Sequence, residues 1–326
     1  MNIRWGILGT GKIANVFANN LKQVALADLS AVGSRDLSRA KSFAKDHSIA
    51  KPYGSYEELA KDTKIDVIYI STPHPFHCEN TLMCLNHGKA VLCEKPFAIN
   101  AEQAGQMILT AKKENLFLME AMWTRFLPAI IKTKKWIDKG KIGTVRFVNV
   151  DFGFQASFDE HHRLFNPQLG GGALLDVGVY ALAFCSMVFE KKPKEIKSFV
   201  KMAKTGVDEQ AVIILQYDED QLATITCSTR VDTPNEAMIM GTKGRIHMPA
   251  KFWGAESAVL IKKKQNRVRK APLGGKGFVY EIEEVNRCLR QNRLQSEYMP
   301  LNETLAIMEI MDDIRAQWNL SYPTEK

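Results

Sequence analysis

The stretch WGILGTGKIA, Trp5 to Ala14, constrains the fold more than any other part of this chain. An apolar run leads directly into Gly9-x-Gly11-x-x-Ala14, and the next residues have the apolar spacing of a helix. The first glycine permits a tight turn, the second lets a ligand approach the main chain, and the small third residue lets the helix pack closely. Free N–H groups at the start of such a helix attract phosphate. The stretch therefore predicts a strand, turn and helix that bind the pyrophosphate of a dinucleotide.

Further short apolar runs follow in the first third of the chain, separated from one another by helical patterns. Apolar strands that alternate with helices predict a parallel sheet covered on both faces. Ser55 with Glu58, and Asn100 with Gln103, have the spacing of helix starts. We therefore expect an α/β Rossmann domain, a parallel doubly wound sheet, over residues 1–123, with strands at Ile3–Leu8, Leu26–Val32, Val67–Ile70, Ala90–Cys93 and Leu116–Met119.

The pattern changes after Trp123, where longer strand-like segments alternate with fewer, longer helices. It predicts an α+β domain over residues 124–326, built on a large, mostly antiparallel open sheet. The expected strands are Val145–Phe154, Ile196–Met202, Glu209–Tyr217, Leu222–Thr229 and Glu236–Met248, the last broken by the turn GTKG. The expected helices are Gly172–Phe189, Tyr280–Gln291 and Asn302–Trp318.

Composition limits the function classes. The 326 residues are 45% hydrophobic and 25% charged, which is typical of a globular protein long enough for two domains. The net charge of +8 raises the question of nucleic acid, but the one basic cluster, Ile261 to Lys270, has no interleaved aromatic residues and predicts a solvated hairpin. Anionic small molecules explain the charge as well, so we expect no nucleic-acid partner.

Cysteine usage and hydropathy bear on location. The six cysteines have neither zinc spacing nor a CxxC pair, so we expect no disulfide and no metal. No apolar run approaches the roughly 18 to 20 residues of a membrane span, and the chain enters a strand pattern at once, without a signal peptide. We therefore expect a cytoplasmic protein with no membrane partner.

The residues after the second strand bear on the choice of dinucleotide. NAD sites usually place an acid there for the ribose hydroxyl, whereas this chain has Ser34 and Arg35. An arginine can pair with the 2′-phosphate of NADP. Asp36 leaves the alternative open, because a shift of the loop by one residue would favour NAD. The sequence predicts NADP(H) rather than NAD(H).

Two motifs follow neighbouring strands, at the edge where open α/β sheets bind ligands. STPHPFH carries His74 and His77, each of which is either a helix-start residue packed against the cofactor or an acid/base group. CEKP carries Glu94 and Lys95, followed by a proline that fixes the main chain. The pair is either an ordinary surface ion pair or a held lysine that takes part in chemistry.

Two more stretches offer substrate contacts. EAMWTRF places Trp123 and Arg125 at the domain crossover, where the tryptophan is either interdomain core or an aromatic wall beside an arginine that reaches toward the cofactor. In GGGALLDVGVYAL, Asp176 and Tyr180 stand four residues apart and so share one face of a helix. We expect both side chains to face a substrate.

These motifs, in this order, resemble those of the Gfo/Idh/MocA oxidoreductase family, and the resemblance covers nearly the whole chain. LFLMEAMWTRFLP and GGALLDVGVYAL resemble more narrowly the branch of dimeric dihydrodiol dehydrogenases and NADP-dependent D-xylose 1-dehydrogenases. The resemblance implies hydride transfer between NADP and a hydroxyl or carbonyl of a sugar, cyclic diol or dicarbonyl. It also implies a homodimer formed through the second-domain sheet, with Arg146 on the dimer face.

The resemblance also implies roles for individual residues. Lys95 and Tyr180 would act at the reacting oxygen, Asp176 would orient substrate hydroxyls, and Glu94 would orient Lys95. Tyr180 replaces the histidine of inositol dehydrogenases, and because its ordinary pKa is about 10, a nearby lysine would have to favour the phenolate. The implied cofactor contacts are Gly9, Thr10, Gly11, Lys12, Ile13, Ser34, Arg35, Thr72, His74, His77, Glu94, Lys95, Trp123 and Arg125. The implied substrate contacts are Trp123, Phe152, Asp176, Tyr180, Trp253 and Phe278.

One different class of function competes with the enzyme. An NADP-binding sensor or scaffold would keep the Rossmann domain but would not need Lys95, Asp176 and Tyr180 together. The sequence does not identify the physiological substrate or the direction of the reaction.

Overall fold

The computed structural model describes residues 2–218, 220–262, 265–270 and 277–325. The chain divides into two compact units. The first comprises Met1–Trp123 and Gly274–Leu305, and the second comprises Thr124–Leu273 and Ala306–Lys326.

The first unit is built on a six-stranded parallel sheet in the order β3-β2-β1-β4-β5-β6, the order of a dinucleotide-binding fold. Its strands are β1 Ile3–Leu8, β2 Ala27–Gly33, β3 Lys51–Tyr53, β4 Val67–Ile70, β5 Ala90–Glu94 and β6 Leu118–Ala121. Its helices include α1 Lys12–Leu21, α2 Leu37–His47, α3 Tyr56–Lys61, α4 His77–Asn86 and α5 Ala101–Lys113. The Rossmann prediction is confirmed.

Sequence reasoning missed only β3 in this sheet, because its three half-buried residues form no apolar run. The two helix starts appear as expected. Ser55 Oγ accepts a hydrogen bond from the Glu58 N–H at 3.1 Å, and Asn100 Oδ1 accepts one from the Gln103 N–H at 2.9 Å.

The assignment of every residue after Trp123 to the second domain needs a correction. Helix α8, Phe278–Arg290, belongs to the first unit and packs against α1. The indole N–H of Trp5 donates to Asn286 Oδ1 at 3.1 Å, and the ring of Phe17 meets the edge of Phe278. Helix α8 buries its apolar face here, which no local pattern in the sequence could reveal.

The second unit contains an eight-stranded sheet in the order β14-β13-β12-β11-β7-β10-β9-β8, in which only the β7–β10 pair is parallel among the described strands. The strands are β7 Val145–Gly153, β8 Glu195–Met202, β9 Asp208–Asp218, β10 Gln221–Ser228, β11 Ala237–Gly241, β12 Gly244–Met248, β13 Ser257–Lys262 and β14 Gln265–Lys270. The mostly antiparallel α+β prediction is confirmed. The basic stretch forms the predicted hairpin, in which β13 pairs antiparallel with β14. The solvation of this hairpin stays a prediction, because the side chains of β14 lie outside the part that the structure describes.

Three α-helices accompany this sheet in the described part of the chain. They are α6 Pro128–Asp138, α7 Val179–Phe189 and α9 Leu301–Gln317, of which α9 begins in the first unit. A π-helical turn, Leu174–Gly178, leads directly into α7, so the expected single helix from Gly172 has a different start.

One helical stretch, Pro167–Phe189, is long and apolar enough to cross a membrane by length and composition. This corrects our expectation that no run in the chain reaches that length. In the protein, 94% of its most apolar window is buried, as in the core helix of many water-soluble proteins.

Candidate active site

The glycine turn has the geometry that its sequence predicts. Gly9 has φ +109°, and a Cβ there would lie 2.8 Å from Ser71 Oγ at the end of the neighbouring strand β4. A Cβ on Gly11 would meet nothing within 4 Å, and no side chain caps the N-terminus of α1. Packing within the protein therefore requires a glycine at position 9 but not at position 11. The open space at Gly11 beside uncapped N–H groups fits a bound pyrophosphate.

Asp36 has a structural task at the end of β2. Its Oδ1 accepts hydrogen bonds from the N–H groups of Ser38 at 2.8 Å and Arg39 at 3.4 Å, so it is the N-cap of α2. The hydrogen bonds from Ser38 hold the pKa of this carboxyl below its usual value. Asp36, the acid that kept NAD open as the alternative cofactor, therefore serves as the N-cap of α2.

Arg35 points to the surface beside this cap. Its guanidinium carbon lies 5.8 Å from the centre of the Phe76 ring, and its side chain is hydrogen-bonded with Tyr56. Ser34 is buried, and its hydroxyl accepts a bond from the Asp36 N–H at 3.3 Å. An exposed cation held between two aromatic side chains suits a 2′-phosphate.

His77 joins the ends of two strands rather than facing solvent. It is fully buried, with Nδ1 2.8 Å from the Pro96 oxygen and Nε2 2.8 Å from the Thr72 oxygen. Burial lowers the pKa of its ring. Both ring nitrogens lie within hydrogen-bond distance of main-chain carbonyl oxygens, and the neutral ring donates to one of them. This burial between the two strand ends favours a role in holding the two loops over an acid/base role. His74 is half-buried, with its ring 5.8 Å from that of His77.

Glu94 and Lys95 are not an ordinary surface ion pair, because Glu94 is buried. Its Oε1 accepts a hydrogen bond from the Tyr69 hydroxyl, and its Oε2 accepts one from the Lys95 main-chain N–H at 3.1 Å. The Lys95–Pro96 peptide bond is cis. Glu94 therefore fixes the main chain of Lys95, while the lysine side chain is half-exposed.

The predicted aromatic contacts form one pair in each unit. In the first unit, the rings of Trp123 and Phe278 stack with centroids 5.2 Å apart and planes at 16°. In the second, Phe152 and Trp253 stack at 3.6 Å and 6°, and Phe152 lies 5.5 Å from the Tyr180 ring. Trp253, which no strong motif supports, is thus part of a packed aromatic group.

Arg125 has a structural role in the second unit. It is buried, and its Nη1 donates to the Ala183 carbonyl of α7 at 3.1 Å. Contact between Arg125 and a cofactor stays a prediction, as do the contacts expected of Thr10, Lys12, Ile13 and Thr72.

Asp176 and Tyr180 lie on the π-helical turn and the first turn of α7, and both are buried. The Asp176 carboxylate accepts from Arg163 Nη1 at 2.8 Å, and the arginine is half-exposed. Sequence reasoning missed Arg163, because it stands in a mixed-charge loop with no motif. It also missed Asp208, which accepts a hydrogen bond from the main chain of the π-helical turn.

Comparisons with known proteins agree with this architecture. Residues 3–122 match the oxidoreductase family with an NAD-binding Rossmann fold, and residues 130–247 match the GFO/IDH/MocA C-terminal domain. The chain belongs to the Gfo/Idh/MocA oxidoreductase family. The resemblance stated from the motifs is thereby confirmed.

Relatives in the family match over their full length. Trans-1,2-dihydrobenzene-1,2-diol dehydrogenase of Xenopus tropicalis is 40% identical over 99% of this chain and 100% of its own. The Homo sapiens protein of the same name is 37% identical over 100% of both chains.

Solved structures share the fold at lower identity. An aldose-aldose oxidoreductase from Caulobacter crescentus, complexed with glycerol, has a TM-score of 0.89 at 22% identity and covers 97% of each chain. A 3-ketoreductase from Actinomadura kijaniata, in complex with NADP and TDP-benzene, has a TM-score of 0.86 at 23% identity over 97% of this chain and 98% of its own.

Proposed function

We propose that this protein is an NADP-dependent oxidoreductase that transfers hydride between the nicotinamide and a hydroxyl or carbonyl of a sugar, cyclic diol or dicarbonyl. The main observation in favour of NADP is that Asp36 caps the start of α2 while the neighbouring Arg35 is exposed. Full-length relatives named as dihydrodiol dehydrogenases support the substrate class.

The glycine turn, the uncapped start of α1 and Arg35 would hold the dinucleotide, which supplies or accepts the hydride when bound. Asp176 accepts hydrogen bonds from substrate hydroxyls, and Arg163, whose Nη1 lies 2.8 Å from Asp176 Oδ1, holds the carboxylate in place. The Tyr180 hydroxyl exchanges the proton of the reacting oxygen, and the Lys95 ammonium stabilises negative charge on that oxygen. Phe152 and Trp253 form a flat apolar wall for a ring-shaped substrate.

The test begins with NADPH formation or consumption across a panel of sugars, diols and dicarbonyls. Tyr180→Phe should lower turnover about 10²- to 10⁴-fold, because it removes only the hydroxyl that exchanges the proton. Lys95→Met should also lose most turnover, while NADPH affinity, measured by fluorescence quenching, stays within about threefold. The matched controls are Tyr298→Phe and Lys113→Met, both on exposed side chains.

The competing sensor function makes the opposite forecast. A sensor would bind NADPH but turn over no compound of the panel, so neither variant could lower an activity. Near-normal rates in both Tyr180→Phe and Lys95→Met would also contradict the proposed roles of these residues.

We also propose a homodimer formed through the outer face of the eight-stranded sheet. Large apolar side chains project from that face on neighbouring strands, with Phe199 opposite Val212 and Ile214 opposite Thr224. Phe199 is 81% exposed, and Val212, Ile214 and Leu222 are also exposed. Several large apolar side chains exposed on one face of a sheet often mark a surface that binds another protein. Arg146, which the resemblance places on the dimer face, is exposed on β7 and paired with Asp220.

Light scattering at micromolar concentration tests the dimer. The unmodified protein should have the mass of two chains, and Phe199→Lys should have the mass of one. Leu109→Lys is the matched control, because Leu109 is 68% exposed on α5 of the first unit and should leave the dimer intact. A monomeric unmodified protein would refute the interface.

The buried free cysteines are consistent with the cytoplasmic location that we propose.

A further inference from the structure

Asp208 touches the start of the segment that carries the candidate catalytic side chains. It is the first residue of β9 and is fully buried. Its Oδ2 accepts a hydrogen bond from the Leu174 N–H at 2.6 Å, at the first residue of the π-helical turn. Asp176 lies two residues further on, and Tyr180 follows in the first turn of α7. The carboxylate therefore holds the beginning of the segment on which both candidate residues stand.

The neighbouring main chain is shaped around this carboxyl group. Gly172 has φ +123°, and a Cβ there would overlap Asp208 Oδ1 and lie 3.2 Å from the Tyr322 hydroxyl. That hydroxyl donates to the Gly171 carbonyl at 2.7 Å. The glycines before the turn thus leave room for one acid and one tyrosine, and larger residues would not fit.

Within the described part of the chain, no cation lies within salt-bridge distance of this carboxylate. Oδ1 has no hydrogen-bond partner among the described residues. The facing titratable groups are the Cys227 thiol on β10, the Tyr322 hydroxyl and the Arg315 guanidinium on α9. Arg315 is already bonded to Asp312 at 2.6 Å and Glu325 at 2.8 Å. Main-chain N–H groups at the turn are therefore the principal partners of Asp208.

Burial raises the pKa of Asp208 to about 6, against the hydrogen bonds from the main chain of Leu174 and Ala173. For an acid whose folded-state pKa lies above its unfolded value, folding is less stable at neutral pH than below pH 4. Fold stability alone therefore gives no reason for an ionisable group at this position. Acids that cost stability in this way are common at functional sites.

We propose that Asp208 is a positioning residue whose ionised carboxylate fixes the π-helical turn, and with it Asp176 and Tyr180, in the arrangement that the reaction needs. The inference rests on the proposed function. A carboxylate accepts a hydrogen bond from an N–H group more strongly than a neutral carboxyl or amide does. Protonation should therefore loosen the turn and lower turnover without unfolding the protein.

Asp208→Asn tests the role by its pH profile. In the unmodified protein, turnover at saturating substrate should fall as the pH drops below 6 and then level off near the turnover of the variant. At pH 7.5, turnover of the variant should be lower than that of the unmodified protein by about tenfold at most. The fall in turnover near pH 6 should be absent from the variant. NADPH affinity should not change. Asp218→Asn, at the exposed far end of the same strand, should match the unmodified protein.

A second measurement does not depend on catalysis. Hydrogen exchange of the segment 173–180, expressed as protection relative to the free peptide, should fall between pH 7.5 and pH 5 in the unmodified protein. In Asp208→Asn it should be low at both values. Protection that is the same at both pH values in the unmodified protein would overturn the inference, as would an Asp208→Asn variant with full turnover.

The two proposals can fail separately. If the exchange result holds while no substrate is turned over, Asp208 still fixes the turn and the proposed enzyme activity is wrong. If turnover is found but exchange and the acid limb do not depend on Asp208, the activity stands and the positioning role is wrong.

Discussion

Replacement of Arg35 by alanine should change cofactor preference more than any other single substitution in the first unit. Arg35 lies at the end of β2 with its guanidinium beside Phe76 and hydrogen-bonded with Tyr56. A hydrogen bond to a charged group contributes about 1.5 to 3 kcal/mol, and every 1.4 kcal/mol is tenfold in affinity. Because the side chain is exposed, we take the lower half of that range. We expect Arg35→Ala to bind NADPH about 10- to 40-fold more weakly, with little change for NADH.

The assay is equilibrium titration of NADPH and NADH by protein fluorescence at two salt concentrations. Salt screens exposed charges, so added salt should weaken NADPH binding to the unmodified protein and affect Arg35→Ala much less. The matched control is Arg39→Ala, four residues further on and also exposed. Equal affinities of the unmodified protein for the two cofactors, or equal losses for both in Arg35→Ala, would refute the reasoning.

Asp36 supplies the other half of this test. If it contacted ribose, Asp36→Ala would weaken NADH binding. Because its carboxylate caps α2, we expect Asp36→Ala to lower the melting temperature and leave both affinities unchanged. Asp36→Asn should restore the melting temperature, since asparagine is an equally good N-cap.

Three further substitutions test the packing around the site. Gly11→Ala should leave the unfolding free energy unchanged in urea but weaken NADPH binding, because a Cβ there meets only open space in the protein. Gly172→Ala should lower the unfolding free energy by about 2 kcal/mol or more, since φ +123° is strained for alanine and the Cβ overlaps Asp208. Burial raises the pKa of Glu281 well above its usual value. The protonated carboxyl therefore makes its full contribution to folding stability below about pH 4, and this contribution is lost as the pH rises. The unfolding free energy of Glu281→Gln, measured by urea denaturation relative to that of the unmodified protein, should therefore rise by up to about 1.4 kcal/mol per pH unit between pH 5 and pH 8. A difference that stays constant with pH would contradict this.

The sequence predicted those parts of the fold that local pattern determines. The turn at Gly9 and Gly11, the parallel strands and the N-caps at Ser55 and Asn100 all depend on residues within a few positions of one another. The role of Asp36 did not follow from the sequence, because ribose contact and helix capping differ by one residue of register. The structure decides it through the two N–H groups that the carboxylate accepts.

Long-range packing explains what remained hidden. Helix α8 carries an ordinary amphipathic pattern, and only the tertiary fold shows that Phe278 packs on Trp123 and that Asn286 meets Trp5. Arg163 and Asp208 are single charged residues outside any motif. Their partners, Asp176 and Leu174, are 13 and 34 positions away.

The return of α8 to the first unit also bears on the chemistry of Lys95. Glu281 of α8 is fully buried, its carboxyl oxygens have no hydrogen-bond partner among the described residues, and the charge of Glu94 helps to raise its pKa. Glu94, in contrast, accepts hydrogen bonds from the Tyr69 hydroxyl and the Lys95 N–H. Hydrogen-bond donors around a carboxyl group favour its charged form, and burial without donors favours its protonated form. A protonated Glu281 carries no charge, so it does not oppose a charge on Glu94. In this way a helix encoded some 190 residues after the CEKP motif allows a buried carboxylate to hold the main chain of the candidate catalytic lysine.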